Sequence, residues 1–242
     1  MERPLWIEPD WPAPPGVRAA STLRPGGVSA DRYASLNLGG HVGDDPGSVA
    51  ENRRRLAAAL NLPSEPVWLS QVHGIQAVRA EVLDERVADA AYTRAPGVVC
   101  AVMTADCLPV LLCTRDGGAV AAVHAGWRGL ADGVVEAAVA AMGGRDLLAW
   151  LGPAIGPEAF EVGGEVRAAF VRKDAEFAAG FRAAGEGRWL ADIYRLARVV
   201  LNRLDIDAVH GGGWCTHGCP GDFFSYRRDR VTGRMATLIW RE

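Results

Sequence analysis

Three side chains in this sequence have the types and the placement for metal or nucleophilic chemistry: His73, Cys107 and His124. Two of them lie in the stretch Met103–Gly129, MTADCLPVLLCTRDGGAVAAVHAGWRG. Apolar runs at Leu108–Cys113 and Ala119–Val123 flank Thr114-Arg115-Asp116-Gly117-Gly118. Short apolar runs about an Asp-Gly turn predict a hairpin. Setting Thr114 opposite Ala119 brings Pro109 beside His124, with Cys107 just beyond at the open end. Cross-strand neighbours lie about 5 Å apart, so thiol and imidazole come within reach of a shared ion or of each other. His73 ends a separate predicted strand and is followed by Gly74. Two imidazoles and a thiolate with an open fourth position suit catalytic zinc. A metal-free Cys–His nucleophile pair is the rival reading. Cys100 and Cys113 lie inside apolar runs and read as core. Asp106, beside Cys107, could orient a ligand, move a proton or cap a turn.

The elements that must position these groups follow from pattern. Residues 1–16, rich in proline, predict an irregular arm, and residues 17–242 a single catalytic domain. Strands are predicted at Val17–Leu23, Val67–Val72, Ala77–Val82, Gly97–Met103, Leu147–Leu151, Ala208–His210, Phe223–Tyr226 and Met235–Trp240. A helix begins with Asp45 as N-cap and Pro46 at its first position, and it stops at Asn61–Pro63. Further helices are predicted at Leu130–Met142, Gly164–Val171, Ala175–Arg182 and Ile193–Leu204, the last with Asp192 at its start. Strict βαβ alternation is absent, so the pattern predicts an α+β fold with a mixed sheet.

Composition narrows the function classes. The 242 residues are 49% hydrophobic and 23% charged, which is ordinary globular composition. A net charge of −3, with no basic run beyond Arg53–Arg55, does not indicate nucleic-acid binding. The longest apolar stretch is interrupted by Thr104, Asp106 and Pro109 and cannot span a membrane. No signal peptide is recognisable, and five cysteines in such a chain predict a reducing cytoplasm without a disulfide framework. His210-Gly211-Gly212-Gly213 imitates an esterase oxyanion motif, but no G-x-S-x-G elbow accompanies it. A P-loop, a G-x-G-x-x-G fingerprint and the zinc nucleobase-deaminase signature are all missing. Cys215-Thr216-His217-Gly218-Cys219 is metal-like in composition but not in spacing.

Oxyanion recognition is the other chemistry in view. Arg suits bidentate binding of phosphate or carboxylate. The candidates are Arg24, Arg53, Arg128 and Arg227, with Ser225 beside the last and an aromatic neighbour able to stack on a base. Asn37 and His41, in the Gly-rich loop Ser35–Asp45, are further candidates for the pocket lining.

Seven stretches together resemble the YfiH-type laccase-domain family. They are TLRPGGVS at Thr22–Ser29, SLNLGGHVGDD at Ser35–Asp45, SQVHG at Ser70–Gly74 and ADCLPVLL at Ala105–Leu112. The others are AVHAGWRGL at Ala122–Leu130, LGPAIGPEAFEVG at Leu151–Gly163, and FFSYRRD with TGRMA near the C-terminus. The resemblance implies a zinc site falling on His73, Cys107 and His124, with copper as the alternative metal. It implies a single layered α/β sandwich with mixed sheets flanked by helices. As function it implies purine nucleoside phosphorylase activity on adenosine, inosine or methylthioadenosine, together with adenosine deaminase activity. The alternatives it carries are a peptidoglycan-editing hydrolase acting on a UDP-MurNAc-amino acid and a copper-dependent polyphenol oxidase. A multicopper cluster needs more imidazoles than five histidines readily supply, which ranks the oxidase last. The expected partners are a purine nucleoside and phosphate, with no nucleic acid and no membrane, and the expected state is a cytoplasmic monomer.

Overall fold

Apolar residues on both faces of the strands dictate stacked sheets, and the computed structural model, which describes residues 5–82, 86–144 and 146–242, has them. The strands are β1 (Trp6–Ile7), β2 (Val17–Thr22), β3 (Ala77–Arg79), β4 (Ala90–Thr93), β5 (Val99–Thr104), β6 (Leu108–Thr114) and β7 (Val120–Ala125). They continue with β8 (Leu147–Leu151), β9 (Glu161–Gly163), β10 (Phe181–Gly185), β11 (Arg188–Ala191), β12 (Val209–Gly211) and β13 (Met235–Arg241). The helices are α1 (Pro46–Leu60), α2 (Trp127–Asp132), α3 (Val134–Ala141), α4 (Gly164–Val171), α5 (Ile193–Arg203) and α6 (Tyr226–Asp229). One sheet runs β1-β2-β13-β5, another β12-β8-β6-β7-β4-β3, and a small third sheet β10-β11-β9. The six-stranded sheet is mixed: β12 lies parallel to β8 and β3 parallel to β4, while its other pairs are antiparallel.

The layers follow from side-chain alternation. On β6, Val110 and Leu112 face α3 and α5, whereas Leu111 and Cys113 face the four-stranded sheet. On β13, Ile239 meets that inter-sheet core, whereas Ala236, Leu238 and Trp240 pack with Leu56 of α1. The order is thus helix, four-stranded sheet, six-stranded sheet, helices, the layered α+β arrangement expected. Strands covered on both faces lose polar alternation, as LPVLLCT and MATLIWR illustrate. No helix among the described residues is long and apolar enough to cross a membrane.

The predicted hairpin is present in the predicted register, with Pro109 opposite His124 and the Thr114 N–H donating to the Ala119 carbonyl. Asp45 caps α1 by accepting from the Ser48 N–H, with Pro46 at its start. Four expectations need correction. Val67–Val72 is no strand: Val67 makes a single bridge to Cys100, after which the Gln71 side-chain amide, not backbone, clasps both polar groups of Met103. The Leu130–Met142 helix is broken into α2 and α3 at Gly133, whose φ of 113° lies in the left-handed region. Ala175–Gly180 is a 3₁₀ helix, from which Phe181 opens β10. Phe223–Tyr226 forms no strand: Ser225 caps α6 by accepting from the Arg228 N–H, and Tyr226 opens that helix. Part of the predicted arm pairs with the body, Trp6–Ile7 against Ser21–Thr22; residues 1–4 lie outside the described residues.

Candidate metal centre

His124 points from β7, Cys107 immediately precedes β6, and His73 sits in the turn before β3. Cys107 Sγ lies 3.8 Å from His73 Nε2. The two imidazoles stand edge to face with centroids 4.8 Å apart. One donor atom from each of the three residues lies within 4.8 Å of the others. Metal bonds of about 2.0–2.3 Å in a tetrahedron need donors about 3.3–3.8 Å apart, so a rotation of about 1 Å closes the set on one ion. Two imidazoles and a soft thiolate fit zinc, and they leave a fourth position open. His73 is exposed, Cys107 half-buried and His124 buried, so the open side faces solvent.

A single carboxylate arranges both histidines. Asp89, fully buried, takes the His124 Nδ1–H at 2.7 Å, leaving Nε2 to face the site. The same carboxylate accepts the successive N–H groups of Val72, His73 and Gly74 at 3.2, 2.9 and 2.7 Å. These bonds hold His73 at φ 60°, a conformation uncommon for a residue with a side chain. A ligating histidine that donates its other ring N–H to a carboxylate is fixed in tautomer and made more basic. Asp89 is absent from the sequence reading. Its signal was a lone acid in the small apolar run Val87-Ala88-Asp89-Ala90-Ala91, because a carboxylate buried there must be answered by donors.

Without a metal, Cys107 and His124 polarise each other. Burial pushes the thiol up, but the His124 charge and hydrogen bonds from His124 and His73 outweigh it and bring Cys107 down to about 6. Burial likewise pushes His124 down, and the Cys107 charge with the Asp89 hydrogen bond raises it to about 9. Near neutral pH the pair is a thiolate beside an imidazolium. Gly126 supplies the room: a Cβ there would lie 2.8 Å from His73 Cδ2 and 3.1 Å from Cys107 Sγ.

Asp106 is a structural device. It adopts φ 96° and accepts the Thr216 hydroxyl and the Arg227 N–H, both at 2.6 Å. It thereby ties the C-terminal segment to the site. The cavity beside the three donors has two lobes, of about 210 and 340 Å³. The smaller is lined by Trp127, Ile155, Phe160 and Ile193, the larger by His41, Gln71, Thr104 and Arg234. His73, Cys107, Arg128 and Tyr226 border both.

Of the other candidate residues, His41, Arg128 and Arg227 are at the cavity. Arg24 is not: it donates to the Ala34 and Pro220 carbonyls and stacks on Phe224. Arg53 donates twice to the Leu38 carbonyl and lies over Trp68. Asn37 organises its loop through Gly39, Asp44 and Arg234, and Ser225 caps α6. Tyr226, the aromatic neighbour of Arg227, also lines the cavity. Arg234 lines it but was not singled out, since nothing local marks a residue that only packing brings to a pocket.

Comparison with known proteins agrees with this architecture. A family model described as multi-copper polyphenol oxidoreductase laccase matches residues 18–242. A Pseudomonas aeruginosa protein named purine nucleoside phosphorylase PA4543 is 57% identical over 238 residues, covering 97% of this chain and 98% of that one. The Escherichia coli protein named purine nucleoside phosphorylase YfiH is 56% identical over 238 residues, with the same coverage. The crystal structure of Neisseria meningitidis NMB0706 superposes with a TM-score of 0.95 at 48% identity, covering 99% of this chain and all of that one. With a family model spanning nearly the whole chain and relatives more than half identical from end to end, the chain belongs to the YfiH-type laccase-domain family.

Proposed function

We propose that this chain is a zinc-dependent purine nucleoside phosphorylase with adenosine deaminase activity, residues 17–242 forming the catalytic unit. The observation that carries this reading is the convergence of His73, Cys107 and His124 at one cavity, His73 and Cys107 bordering both of its lobes and His124 the larger. The names of the relatives from P. aeruginosa and E. coli support it. Zinc held there supplies Lewis acidity and lowers the pKa of a water toward about 7. Asp89 keeps His124 Nε2 and the His73 ring aimed at one point. Trp127, Ile155, Phe160 and Ile193 give the smaller lobe an apolar lining suited to a purine. Phosphorolysis transfers the ribosyl group from the purine nitrogen to a phosphate oxygen. Deamination replaces the purine amino group with oxygen from water and releases ammonia.

Zinc-loaded protein incubated with adenosine, with and without phosphate, tests both activities. Phosphate-dependent adenine release is expected for phosphorolysis, and inosine with ammonia for deamination. Turnover of neither, together with cleavage of a UDP-linked muramoyl amino acid, would replace this reading by cell-wall precursor editing. The family description favours one further reading, copper-dependent phenol oxidation. Three convergent donors accommodate one ion rather than a cluster, and oxygen uptake by copper-loaded protein with a phenol tests that reading.

A further inference from the structure

Among the described residues, three arginines line the cavity, Arg128, Arg227 and Arg234. Arg227 donates to the Glu161 carbonyl, and Arg228 to the carbonyls of Thr216, His217 and Phe223 as well as to Asp229. Two are different. Arg128 makes no hydrogen bond or ion pair among the described residues and only stacks its guanidinium 4.4 Å above the Trp127 ring. Arg234 is half-buried and uses Nη1 on the Thr232 and Gly233 carbonyls, but it meets no carboxylate among the described residues. Both border the larger lobe, with His41, and no acidic residue among the described residues lines that lobe. The smaller lobe is largely aromatic and aliphatic. Arg234 feels the opposite charges of Cys107 and Asp106 but pairs with neither, so its remaining donors can take an anion offering paired oxygens.

We propose that the larger lobe is an oxyanion subsite for inorganic phosphate, anchored by Arg234 and Arg128, and that the smaller lobe holds the base. A ligand spanning both passes over His73 and Cys107, which border each. The assignment of this phosphate as co-substrate rests on the phosphorylase reading above; the subsite itself rests on two guanidinium groups at a lobe with no acidic lining residue among the described residues.

The test measures phosphate binding to the zinc-loaded protein by calorimetry, beside phosphorolysis and deamination kinetics. Arg234→Gln is expected to weaken phosphate binding and raise the phosphate KM at least tenfold, with nucleoside KM within about twofold. Because the Arg234 stem packs on Gly39, Arg128→Gln serves as a second variant at an exposed position, with the same expected direction. Arg24→Gln, away from the cavity, is expected to leave phosphate binding unchanged. Unaltered phosphate affinity in both cavity variants, or no phosphate binding by the wild type at tens of millimolar, overturns the subsite. Wild-type phosphate binding that both cavity variants weaken, without any phosphorolysis, upholds the subsite and removes only the phosphorylase reading.

Discussion

Asp89 answers four donors with one buried carboxylate, and two predictions follow from that. Asp89→Asn keeps the shape but removes the charge that fixes His124 and gathers the Val72–Gly74 amides. Zinc affinity is expected to fall about 10–100-fold in chelator competition. Burial pushes the Asp89 carboxyl up, but His124 and the Gly74 and Val72 amides outweigh it and hold it below the usual carboxylate range. Its stabilisation is therefore complete above the ordinary carboxylate pKa of about 4 and is lost as pH falls through the lower folded value. Urea unfolding followed from neutral pH downward should fall more steeply in wild type than in Asp89→Asn. The Cys107–His124 pair gives another pH dependence. Between about 6 and 9 the metal-free site holds one proton, on His124, that a metal must displace. Zinc affinity should rise about tenfold per pH unit across that window and more steeply below it. Calorimetry in buffers of different ionisation enthalpy should count one proton released near pH 7.5; none released would rule out the thiolate–imidazolium pair.

At the scale of elements, the β6–β7 hairpin and the passage from β7 into α2 carry the site. The hairpin was legible because an Asp-Gly turn and two apolar runs fix register locally. The position of His73 was only half legible. The sequence marks a turn at His73-Gly74, but the turn's conformation is set by Asp89, 16 residues later. Gly126, at the start of α2, is the tightest point. Gly126→Ala places a methyl against His73 and Cys107, and it should cut zinc binding more than tenfold while far-UV circular dichroism stays unchanged. A full complement of zinc in that variant would mean that the two side chains move apart freely.

Across the whole molecule, the two sheets form a single inter-sheet core between their helical covers. Leu111 is fully buried in it, facing the four-stranded sheet. Leu111→Ala should destabilise by about 2–5 kcal/mol, read from the urea midpoint at constant slope. The three candidate donors come from the six-stranded sheet and the turn leading into it, so a metal held by them would also brace that sheet. Chelation of zinc initially present at about 100 times its dissociation constant should remove about 2.7 kcal/mol of stability and lower the melting temperature.

The sequence by itself determined the hairpin and its register, the cap of α1 and the α+β class, and it marked three side chains that the fold brings together. Each of these is written in local spacing, in turn chemistry or in a family pattern. Tertiary structure alone decided which acid serves the histidines, since Asp89 is distant in sequence from His124 and declares itself only by what packs around it. It also decided which arginines reach the cavity. Arg24 and Arg53 look like oxyanion ligands in sequence but are bound to carbonyls away from it, whereas Arg234 drew no attention and borders it. A guanidinium has the same chemistry wherever it stands; only the fold settles whether its donors meet protein or are left for a ligand.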